Sequence, residues 1–203
     1  LSRLIATGTA VCGASAVLAA NAVKPQKDED VAYAVAGVTM FGTLAMVLFP
    51  MLGASLAPRD YGLWTGASIH EVAQVVAAGA QGGAEAVAYA TIAKLTRVAL
   101  LAPMILLMAA GSGGSGRAPF AWFVLGFLAM VALASSGLVP HEITQASVPL
   151  TQALLAAGLA AMGLQTDLGQ MKAKGLRPLL LGALASIFIA AITLALVLLE
   201  STF

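Results

Sequence analysis

Seven runs of apolar residues, each long enough to be a candidate for crossing a bilayer as a helix, follow one another with only short polar links between them. A hydrocarbon core of about 30 Å takes roughly 20 residues of helix. The runs near positions 4–22, 31–52, 62–79, 84–110, 120–138, 148–164 and 178–199 are of that order. Strands of a membrane barrel would instead alternate in polarity over about 10 residues, whereas these runs are continuous and rich in Ala, Leu and Gly. The expected fold is therefore all-α, a polytopic transmembrane bundle of about seven segments embedded in lipid. Composition agrees: 60% of the 203 residues are hydrophobic and 9% charged, against about 25% charged in an ordinary soluble domain.

That frame removes several functions. A net charge of +1 without a basic cluster argues against nucleic acid as a partner. The single cysteine, Cys12, excludes an internal disulfide and any multi-cysteine metal site. Two His-Glu pairs, His70-Glu71 and His141-Glu142, do not extend to a His-Glu-x-x-His zinc motif, and neither a nucleophile elbow nor a P-loop occurs. No enzyme activity, metal or cofactor is expected. The opening LSRLIATGTAV lacks the basic flank of a signal peptide. The chain starts inside an apolar run without Met, so the expectation is one transmembrane domain over 1–203 that lacks N-terminal helices of a longer protein.

The links are read as follows. KPQKDED (24–30) is a solvated loop whose acids favour the start of the next helix. GSGGSGRAP (111–119) is a flexible connector, and whether residues 111–116 are native or a linker is left open. Trp122 is placed as an interfacial anchor, and PHEITQAS (140–147) as a loop. With one crossing per segment, Arg3, Arg59, Arg117, Lys172, Lys174 and Arg177 fall on one side, which the positive-inside rule makes cytoplasmic, with the C-terminus outside.

The functional signal lies where charge enters the oil. Lys94 and Arg97 sit three apart on one helical face of the fourth segment. At about 1.5 Å per residue Lys94 is roughly 14 Å in from Glu85, close to the midplane. A cation there costs about 2.5–3.5 kcal/mol on insertion scales, so such residues are seldom kept for packing. A planar Arg fork beside a mobile Lys charge suits a small oxyanion, and a helix N-terminus nearby adds N–H donors. The competing reading is a structural ion pair of these cations with Glu71. In the third segment, read as one continuous helix, His70 and Gln74 share a face while Glu71 points about 100° away. His70 or Glu71 could couple transport to protons. The first segment, GTAVCGASAV, carries Gly8, Cys12, Gly13 and Ser15, and its glycines fit either close packing or a helix break.

GTAVCGASAV (8–17) can be laid on GASIHEVAQV (66–75), matching Gly8 with Gly66, Val11 with Ile69 and Val17 with Val75. Many transporters pair interrupted helices from two repeats around a midplane site. GTAVCGASAV, LFP, GLWTGASIHEVAQVVAAG, KLTRVALLAP, WFVLGF, GLQTDL and RPLLLG together resemble the YeiH family of bacterial inner-membrane proteins, which is commonly labelled as sulfate exporting. The likeness runs in order over essentially the whole chain, as about the C-terminal three-fifths of a family member. It implies a polytopic inner-membrane transporter of inverted repeats, related in architecture to bile-acid symporters and cation/proton antiporters. It places Gly8, Cys12, Gly13, Ser15, His70, Glu71, Lys94 and Arg97 in the family pattern.

The expected function is a secondary transporter exporting a small anion, with sulfate or a related sulfur oxyanion as candidate. Lys94 and Arg97 would neutralise the substrate, the segment from Gly8 to Ser15 would supply backbone donors, and His70, Glu71 and Gln74 would form the polar or proton-coupling part. A cation/proton or sodium-coupled carrier centred on Glu71, and a non-transporting membrane scaffold, are the alternatives. Homo-oligomerisation is left open.

Overall fold

The structure is a computed structural model that describes residues 1–110, 136–165 and 175–201, with isolated positions between 126 and 133. The fifth apolar run, Trp122 and the 111–119 connector lie essentially outside the described residues, as does the second half of GLQTDL. Among the described residues the regular elements are all helices: α1 (Ser2–Ala10), α2 (Ala14–Val23), α3 (Asp28–Leu52), α4 (Pro58–Ser68), α5 (Val72–Gly79), α6 (Ala84–Ala99), α7 (Leu101–Ala110), α8 (His141–Gln165) and α9 (Leu176–Glu200), with a 3-10 turn at Ala80–Gly82. Among the described residues, three stretches are long and apolar enough to cross a membrane: Asp28–Leu52, Ala84–Ala110 and Leu176–Glu200.

Local chemistry accounts for the boundaries. Asp28, Glu29 and Asp30 fill the first turn of α3, where acidic groups complement the exposed N–H ends. Pro58 opens α4 at the position where its missing N–H and fixed φ cost nothing. Leu100 separates α6 from α7 three residues before Pro103, whose ring removes the bond that would have tied the turn back to Ala99.

Three runs depart from the sequence expectation. The first is split, α1 ending at Ala10 and α2 starting at Ala14. The third is not one helix but α4 and α5, parted at 69–71. His70 and Gln74 therefore do not share a helical face, because the helical phase is lost between them. The stretch PHEITQAS is not a loop: α8 starts at His141 and continues through Pro149, with Glu142 in the first turn, where a carboxylate is welcome.

The two splits fall in one register. Ala10 and Ser68, where α1 and α4 end, are 58 positions apart, and so are Ala14 and Val72, where α2 and α5 begin. This is the register that matched Gly8 with Gly66. Irregular backbone at membrane depth is tolerated only where protein or a water-lined cavity covers it. Here protein does so: Val11 and Cys12 belong to a buried cluster with Ala16, Val98, Leu101 and Ile105, and Ile69 to one with Phe49, Tyr61, Trp64, Val75, Ala78, Ala86 and Ala90.

α4 and α6 make the closest helix pair. A Cβ added at Gly62 would come 2.4 Å from the Ala86 carbonyl oxygen, and one at Gly66 2.2 Å from that of Ala90. Gly62 and Gly66 thus meet Ala86 and Ala90 as two small-residue ladders, which lets backbones touch where lipid offers no competing hydrophobic drive. α9 is tied across α4 by polar groups on one face: Trp64 Nε1 donates to the Ala190 carbonyl at 2.9 Å, Ser68 shares a 2.6 Å hydrogen bond with Thr193, and His70 Nε2 one of 2.8 Å with Ser186.

A candidate functional site where two broken helices cross

A helix that stops inside a packed bundle leaves its last carbonyls without N–H partners and its successor's first N–H groups without acceptors. In hydrocarbon each such group costs several kcal/mol if unmet. The residues singled out in the sequence are those that meet them.

Lys94 comes from α6 and is fully buried. Its ammonium donates to the Val11 carbonyl at 2.8 Å, the Ile69 carbonyl at 2.9 Å and the His70 carbonyl. An ammonium has three donors and no acceptor, so all three are used, on carbonyls from both breaks. Arg97, one turn on and half-buried, spreads its fork over the same ends: Nη2 to Thr9 O at 2.6 Å, Nε to Ala10 O at 3.3 Å, and Nη1 to Ala67 O at 2.9 Å and Ile69 O at 3.2 Å. Both cations thus face the C-terminal ends of α1 and α4, where the helix dipole is negative.

Glu71 serves the opposite ends. Its carboxylate accepts the Ala14 N–H at the start of α2, and with Gln74 it forms a capping box at the start of α5. The ion pair with Lys94 or Arg97 that was the structural alternative does not form, because Glu71 is engaged by N–H groups and the cations by carbonyls. Gly13 makes this possible. Its φ of 65° is a conformation open mainly to glycine, and a Cβ there would lie 1.8 Å from Glu71 Oε1. Gln74 is fully buried and fixes α5 to α3, its Nε2 donating to Thr39 O and Thr43 Oγ1, both at 3.1 Å.

The remaining expected site residues divide. Cys12 is buried within the first break, 4% exposed. Gly8 packs, since an added Cβ would meet Val17 at 2.7 Å and Val38 at 2.8 Å. Ser15, the second residue of α2, is exposed and is not among the residues that meet the broken helix ends. His70 is buried in the second break, and its Nδ1 makes no hydrogen bond. It lies at one side of a cleft of about 380 Å³ walled by Leu44, Leu48 and Ile187. Lys94, Arg97 and Glu71 do not line that cleft. Sequence reading missed the part played by Thr39, Thr43 and Ser186, hydroxyls too common in membrane helices to stand out before their partners are placed.

The family described as conserved hypothetical protein 698 matches residues 1–182. Curated relatives agree: a UPF0324 membrane protein of Bacillus cereus is 36% identical over 97% of this chain and 61% of its own length. A UPF0324 membrane protein of Pseudomonas aeruginosa is 40% identical over 89% of this chain and 56% of its own. This chain belongs to the UPF0324 family. The UPF0324 inner membrane protein YeiH of Escherichia coli K12 is 37% identical over 89% of this chain and 55% of its own length. The protein is a membrane protein, and the chain spans roughly three-fifths of the length of these UPF0324 relatives. No solved structure matches it.

Proposed function

We propose that this UPF0324 protein is a secondary transporter that exports a small anion, with a sulfur oxyanion as the candidate substrate. The observation that carries the reading is the pair of broken helices, parted in one register and held together by two cations from α6. Paired interrupted helices near the midplane are the way many carriers build a site that both sides of the membrane can reach. The shared register of 58 positions favours an origin in two repeats.

Lys94 and Arg97 act on the anion through their charge. The three N–H groups of Lys94 and four of the five on Arg97 are committed to carbonyls, so they act mainly by making the crossing positive. At rest the N–H groups that open α2 and α5 are taken by the Glu71 carboxylate, and they serve as direct donors to the anion only when that carboxylate gives them up. Flux of radiolabelled sulfate from proteoliposomes tests this: the wild type exports it, Lys94→Ala and Arg97→Ala lose most of the flux, and unchanged flux in both variants removes the mechanism.

A second reading has its own observation. Glu71 is a buried carboxylate bridging the starts of two helices, the position from which a proton-carrying acid could sense both halves. A proton-coupled cation carrier built on it loses transport in Glu71→Gln while tolerating Arg97→Ala.

A further inference from the structure

We infer that the carbonyls of Val11, Ile69 and His70 form a monovalent-cation site in which the Lys94 ammonium takes the place of a free alkali ion. The cage is built entirely from backbone oxygens released by the two breaks, at 2.8 Å from Val11 and 2.9 Å from Ile69, with His70 the third. Unwound carbonyls and the negative ends of half-helices are the groups that hold coupling cations in carriers with broken helices, and rings of carbonyl oxygens replace the hydration shell of a potassium ion in selective channels.

An ammonium is likewise a compact, strongly hydrated point charge, and its three donors are met by these three oxygens, to which water would be added around a free ion. The contrast with Arg97 sharpens the assignment. The Arg97 fork lies across four carbonyls at the half-buried edge of the crossing, whereas Lys94 is fully enclosed and meets its oxygens at a single nitrogen. A tethered cation never leaves. The three carbonyls are therefore satisfied without sodium or potassium, and they are not a coupling-ion site, whichever solute is carried.

The test uses thermal unfolding of the purified full chain in detergent, in sodium, potassium or choline chloride at equal ionic strength. The wild type unfolds at the same temperature in all three. Lys94→Ala empties the cage, and its unfolding temperature rises saturably with sodium, potassium or ethylammonium, by on the order of 5 °C, but not with choline, which is too large to enter. Three results overturn the inference: a wild type that sodium or potassium stabilises over choline, a folded Lys94→Ala that ignores all the small cations, or a Lys94→Ala that none of them restores to a folded state. None of these readouts depends on transport, so the inference stands or falls separately from the anion-export proposal.

Discussion

Lys94 shows what a residue in oil is for. Its burial was legible in the sequence, because a lysine roughly midway along an apolar run has to find its partners inside the protein. Its partners were not, because backbone carbonyls carry no mark in a sequence and become available only where a helix stops. The sequence suggested a visiting anion or Glu71 as the counter-charge; the structure supplies three carbonyls. Lys94→Met keeps most of the bulk and strands those oxygens. It is expected to lower stability by about 3–5 kcal/mol, the usual loss when one partner of a buried charged arrangement is removed, while Lys27→Met at an exposed position changes it by less than about 0.5 kcal/mol. Unfolding temperatures of the two variants decide it. Gly13 makes a second case. Gly13→Ala forces a side chain into a conformation costing about 1–3 kcal/mol and into the Glu71 carboxylate, so both stability and flux should fall; a variant of wild-type stability contradicts the Glu71 arrangement.

At the scale of elements, the described runs are helical, but the first and third are each broken in two. Prolines mark ends less well than acids mark starts: Asp28–Asp30 open α3, whereas α3 and α8 run on through Pro50 and Pro149. The two missed breaks share one cause. Hydropathy marks a run as buried in lipid but is blind to a break inside it, since Val11, Cys12, Ile69 and their neighbours remain apolar whether helical or not. Only the match of 8–17 with 66–75 hinted that two segments share a special local structure. The α4–α6 contact supplies a sharp test. Gly66→Ala places a methyl against the Ala90 backbone, and the helices must part at a cost of about 1–3 kcal/mol. Gly37→Ala, where nothing lies within 4 Å, is neutral or stabilising by up to about 1 kcal/mol. Equal effects at the two positions would mean that α4 and α6 are not in backbone contact. For the tie between the second break and α9, a double-mutant cycle of His70→Ala and Ser186→Ala should give a coupling of about 0.6–1.7 kcal/mol, and a coupling near zero removes that hydrogen bond from the account.

At the scale of the molecule, the sequence conveyed the class of protein, the membrane and the family, all of which rest on patterns spread over many residues. What it held back was the assembly of the centre, where α1, α2, α4, α5 and α6 each contribute one end or one side chain. If the crossing is the part that opens to the two sides in turn, the residues inside it must meet water during turnover though they are buried at rest. Cys12, the one cysteine of the chain, reports on this directly because it lies in the first break at 4% exposure. The decisive measurement is its rate of modification by a small, membrane-impermeant thiol reagent applied to each side of reconstituted vesicles, with and without sulfate. A carrier working at the crossing predicts modification from both sides at rates that sulfate changes. A cysteine that reacts from neither side in the folded protein, yet reacts fully once it is denatured, would contradict the account.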